Sequence, residues 1–111
     1  MAKYKNRKIT WQGRTFDSRK EFDRYQELLL LQRAGKIRDL QTQVRYELVP
    51  NQYGPDGKLV ERSVAYKADF VYQDMATGKT IVEDTKGFRT QEYIIKRKLM
   101  RYIHGIEIRE I

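Results

Sequence analysis

The chain has no cysteine, so neither a disulfide framework nor a thiolate zinc site is open to it. It has a single histidine, His104, which excludes chemistry built on paired histidines and leaves Ser/His nucleophilic catalysis without support. No apolar run approaches the roughly 20 residues that a membrane span needs, and the N-terminus lacks the apolar core of a secretory signal. The expected location is therefore the cytosol, with no membrane partner. Repeats, low-complexity segments and interdomain linkers are also missing, so the 111 residues read as one domain with a single core.

What is present is charge. Lys and Arg number 23 against 15 Asp and Glu, a net charge of +8 that favours a polyanionic partner, nucleic acid first among them. Lys3, Lys5, Arg7 and Lys8 crowd residues 1–8, which read either as a basic arm on DNA or as a solvated terminus. Ile9 to Trp11 and Arg14 to Phe16 flank the turn signal Gln12-Gly13, predicting a short hairpin. A helix follows from about Ser18 to Ala34, closed by Gly35, with Phe22, Tyr25, Leu28 and Leu29 as its buried stripe. Glu21 borders that stripe. Ser18-Arg19-Lys20-Glu21 fits a capping box, and the same carboxylate is a candidate metal ligand.

Beyond Ile37 the period changes, and Thr42 to Val49 alternates as a strand with Val44, Tyr46 and Leu48 on one face. Pro50 ends it, and Asn51 to Lys58 reads as a turn-rich loop. Ser63 to Tyr72 is a second strand carrying one acid, Asp69. A polar loop, Gln73 to Lys79, then leads to Ile81-Val82-Glu83-Asp84-Thr85-Lys86-Gly87. Period two puts Val82, Asp84 and Lys86 on one face of this third strand and Ile81, Glu83 and Thr85 on the other. Pairing of the two strands brings Asp69 beside Asp84 and Lys86. Two carboxylates and a lysine so placed suit Mg²⁺-assisted phosphodiester hydrolysis, and they equally suit a cross-strand salt bridge.

Thr90 caps a second helix reaching Ile103 or His104, on which Lys96, Arg97, Lys98 and Arg101 form either a phosphate-tracking surface or a solvated face. His104 reads as a charge at the helix C-terminus. Ile106 to Ile111 alternates strictly and predicts a last strand. The expected fold is α/β, a mixed four-stranded sheet flanked by two helices in the order αβββαβ.

Three motifs in that order carry a resemblance: Phe16-Asp17-Ser18 with Glu21 and Tyr25, then Tyr66-Lys67-Ala68-Asp69-Phe70, then Val82-Glu83-Asp84-Thr85-Lys86-Gly87. Together they resemble the PD-(D/E)XK nuclease superfamily, and more narrowly a family of small phage proteins placed within it, over nearly the whole chain. Ala68 stands where the superfamily's name has proline. The resemblance implies a restriction-endonuclease-like core and a Mg²⁺-dependent endodeoxyribonuclease, with Mn²⁺ substituting. Its substrate would be branched or recombining phage DNA such as a Holliday junction, met in the host cytoplasm. Asp69 and Asp84 would ligate the metal with the Thr85 carbonyl, Lys86 would position water, and Glu21 would serve as accessory ligand or base. Glu83 points away and has no role. Symmetric cuts imply a homodimer. The alternatives are a non-catalytic DNA-binding module of the same fold and a purely structural subunit.

Overall fold

The computed structural model describes residues 7–86 and 88–111, so Lys3, Lys5 and Gly87 lie outside the described residues. A hairpin of β1 (Ile9–Trp11) and β2 (Arg14–Phe16) turns through Gln12 and Gly13, both at positive φ, as the right-handed twist of paired strands demands. Helix α1 (Arg19–Arg33) starts on Ser18, whose hydroxyl accepts from the Glu21 N–H at 3.1 Å. Then come β3 (Ile37–Val49), a small ribbon of β4 (Gln52–Tyr53) and β5 (Leu59–Glu61), β6 (Val64–Asp74) and β7 (Thr80–Asp84). Helix α2 (Gln91–His104) is capped by Thr90 and closed by Gly105 in the left-handed region, and β8 (Arg109–Glu110) follows.

The main sheet runs β3-β6-β7-β8. Its first three strands form the expected antiparallel meander, and β8 joins β7 in parallel, so the sheet is mixed. Several boundaries differ from the sequence reading. Strand β3 begins at Ile37 rather than Thr42, the turn-rich segment after Pro50 contains the β4–β5 ribbon, and β7 stops at Asp84. The last strand is likewise only two residues long. Among the described residues no helix is long and apolar enough to cross a membrane.

The two helices cover different faces. Tyr25 and Leu28 of α1 pack with Phe16, Ile37, Phe70 and Tyr72, whereas Tyr93 and Met100 of α2 pack with Leu48, Tyr66, Ala68, Val82 and Ile108. Tyr66 and Ala68 thus lie under α2 while Phe70 and Tyr72, of the same parity, lie under α1. Strict alternation forbids this, so the faces of β6 exchange at Asp69. Its neighbour β3 is irregular at the same level: Thr42 pairs with Phe70 and Val44 with Ala68, but Gln43, at φ 55°, and Asp69 do not pair.

Glu83 is fully buried on the α1 side, where Arg24 donates to it through Nε at 2.8 Å and Nη2 at 2.6 Å and the Tyr72 hydroxyl adds a third bond. This bidentate pair ties α1 to β7. Removing one partner leaves a buried charge alone, so Arg24→Ala is expected to lose about 3 to 5 kcal/mol of stability in urea denaturation. The double replacement Arg24→Met with Glu83→Leu should lose far less, and equal losses would show that the charges themselves contribute nothing special.

Candidate functional site

The end of β7 brings the sequence-predicted acids into one neighbourhood. With Phe70 opposite Glu83, the register carries Asp69 to the level of Asp84 and Thr85. The Thr85 N–H and hydroxyl both donate to Asp69 Oδ2, at 2.9 and 2.8 Å. Asp84 is 1% exposed; its Oδ2 accepts from the Tyr66 hydroxyl. Its Oδ1 is buried with no hydrogen bond, although the Lys86 ammonium stands 3.5 Å away as an ion pair. Lys86 also lies over the Tyr93 ring, 4.8 Å from its centroid.

Glu21 joins them from α1 and is 3% exposed. Its Oε1 accepts from the Asp17 N–H at 2.8 Å, one residue short of the reciprocal bond of a capping box. Its Oε2 accepts from the Gln43 amide at 3.0 Å, and that same nitrogen reaches Asp69 Oδ1 at 3.5 Å. The capping and site readings of Glu21 are therefore divided between its two oxygens. Among the described residues no three acids are placed to hold one metal ion between them. The buried Asp84 oxygen that accepts no hydrogen bond and its neighbouring acid suit instead a hard cation that takes few protein ligands.

The basic residues predicted to meet DNA divide. Arg97, Lys98 and Arg101 line a groove of about 290 Å³ with residues 106–108 and 110, but Lys96 sits on another side of α2, paired with Glu92 at 3.6 Å. Arg97 and Arg89 both bind Glu110, and Arg101 lies 3.9 Å from Glu107. Arg7 and Lys8 are exposed. His104 meets the Glu47 carbonyl at 2.7 Å and tilts against Tyr46, tethering the helix end to β3. The sequence reading missed Tyr66, Gln43 and Glu110. A tyrosine three residues before a lone strand acid is a weak signal for the first, and the other two carry none.

The family model described as Protein of unknown function (DUF1064) matches residues 1–109. The chain belongs to the DUF1064 family. No curated protein and no solved structure matches it.

In this DUF1064 chain two of the site's carboxyls are shifted upward. Burial, then the Asp69 charge, push the Glu21 carboxyl up to about 7 and the Asp84 carboxyl up to about 6. The Asp17 N–H opposes the first shift, and Tyr66 and Lys86 oppose the second, without cancelling them. Glu110 goes the other way: burial alone would raise it, but bonds from Tyr93, Arg89 and Arg97 hold it below the usual range.

A carboxyl raised on folding keeps a proton that the unfolded chain has already released. Stability is therefore lost as pH rises from 4.5 to about 7 for Glu21 and from 3.8 to about 6 for Asp84. Glu21→Gln, which stays neutral, is expected to melt above the parent at about pH 8 and to lose that advantage near about pH 5, in chelator. A pH-independent gap between the two proteins would show that Glu21 is not perturbed.

Proposed function

We propose that the chain is a divalent-metal-dependent endodeoxyribonuclease of the PD-(D/E)XK type, acting on branched or recombining phage DNA such as a Holliday junction. The observation that carries this reading is Asp84. A carboxylate withdrawn from water with one oxygen free of hydrogen bonds is costly, and a cation relieves that cost. Asp69, Asp84 and the Thr85 carbonyl would hold Mg²⁺, with Mn²⁺ substituting and Glu21 as accessory ligand.

Such an ion, when bound, supplies positive charge against a phosphate oxygen and acidifies a water. The chain's own groups do the rest. Lys86 would set its ammonium against the phosphate oxygens on which negative charge gathers, and its contact with Tyr93 fixes the direction from which it arrives. Glu21, with its carboxyl raised to about 7, can take a proton near neutral pH. Arg97, Lys98 and Arg101 offer phosphate contacts to the strand flanking the cut, from a groove that Glu107 and Glu110 also line. A branched junction differs from plain duplex in shape, so its recognition calls for no reading of sequence. Paired cuts on such a substrate call for a homodimer, working in the host cytoplasm.

A second reading, a DNA-binding module of the same fold that does not cut, is favoured by the lack of three acids set around one point among the described residues. Labelled four-way junction, flap, duplex and single strand, incubated with Mg²⁺, Mn²⁺ or chelator, separate the two. Cleavage that requires metal is expected, strongest on the junction. Asp84→Asn and Asp69→Asn should abolish cutting and keep binding, and Lys86→Ala should lower turnover by about a hundredfold. Binding without cleavage under every metal would leave the module reading standing.

The groove makes its own claim. Lys98→Ala and Arg101→Ala are each expected to flatten the salt dependence of DNA affinity by about one unit, and Lys96→Ala by less. Slopes unchanged from the parent in all three variants would return these residues to solvent.

A further inference from the structure

Gln43 is the residue at which three irregularities coincide. Its backbone is left-handed at φ 55°, a conformation that L-residues seldom adopt and for which glutamine has no local hydrogen-bonding excuse. It stands at the rung that β3 and β6 fail to form, opposite Asp69. Its amide nitrogen is shared between Glu21 Oε2 and Asp69 Oδ1. An outlier of this kind beside a cluster of acids is a reason to ask what the side chain does there.

The amide is a dipole whose positive end faces two carboxylates. Turned about, its carbonyl oxygen would face the same two oxygens with nothing positive between them, so the acids impose the orientation. Each acid is also held by its other oxygen: Glu21 Oε1 stays on the Asp17 N–H and Asp69 Oδ2 stays on Thr85. Withdrawing the amide thus frees one oxygen on each acid without loosening either side chain. Gln43 is exposed, so its amide can turn into water and lose no core contact.

We propose that the Gln43 amide stands in for the cation between Glu21 and Asp69 in the metal-free protein and must swing out when a divalent ion binds. The inference rests on the metal-dependent reading above and adds a residue to it. Gln43 is a gate on the site rather than a ligand of it, and it keeps two acids tolerable to each other while no ion is present. The amide and the ion compete for the same oxygens, so removing one must help the other.

Calorimetric titration of the full chain with Mg²⁺ and with Mn²⁺, at mildly alkaline pH, tests this without reference to cleavage. Gln43→Ala deletes the competing donor and is expected to bind either ion about three- to tenfold more tightly than the parent, as fits the net contribution of one hydrogen bond made by an exposed side chain. Gln43→Gly, which suits the left-handed backbone, should show the same gain and so separate the amide from the backbone. In the parent, the side-chain NH₂ resonance identified by its disappearance in Gln43→Ala should move as Mg²⁺ is added. Unchanged or weaker binding by the two variants, or an amide signal that stays put while the parent fills with metal, would overturn the gate and leave the metal site intact. A parent that binds neither ion would overturn the metal reading and the gate together.

Discussion

Two buried carboxylates on consecutive residues, Glu83 and Asp84, constrain everything around them. Alternation sends them to opposite faces of the sheet, so each helix layer must receive a negative charge out of reach of water. The α1 layer answers with Arg24 and Tyr72, which satisfy Glu83 with three hydrogen bonds. The α2 layer answers only in part, with Tyr66 on one oxygen of Asp84 and the ammonium of Lys86 standing off the other. The difference between a finished ion pair and an unfinished one divides a structural acid from a candidate chemical one. Sharing a strand end, the first also fixes where the second can be: the helix clamped by Arg24 carries Glu21 one turn earlier.

Much of the architecture was legible in the sequence because it rests on local chemistry. Ser18 and Thr90 as caps, Gly35 as a stop and Gln12-Gly13 as a turn are each decided by a few neighbouring atoms. The αβββαβ order follows from them, together with the changes of hydrophobic period. The ribbon after Pro50 was hidden by its own turn residues. The long first strand of the sheet reads from the sequence as starting only at Thr42 because Ile37 and Leu40, three residues apart, break period two across the left-handed Asp39, whereas Gln43, also left-handed, falls inside the strand as read. Nothing in an aspartate or a glutamine announces that backbone.

The site was legible to the extent that spacing determines it. Asp69, Asp84 and Lys86 meet because a hairpin sets one strand against the next; period two places Asp84, while Asp69 stands where the faces of β6 exchange and Lys86 lies beyond the end of β7. The third acid arrives from a helix, and its split duty, one oxygen on Asp17 and one on Gln43, depends on tertiary distances that no local pattern encodes. The basic helix shows the limit most clearly. Lys96 is adjacent in sequence to Arg97 and Lys98, yet the helical turn sends it to another side, where Glu92 meets it.

The irregularity in β3 has an effect at the opposite edge of the same strand. With the sheet ordered β3-β6-β7-β8, this thirteen-residue strand is a border, and a straight border of that length offers a row of unpaired peptide groups to any other extended chain. The left-handed turns at Asp39 and Gln43 break the row into short lengths whose N–H and C=O groups do not share one direction. The bend that carries an amide to the acids thereby also makes the strand a poor template for aggregation.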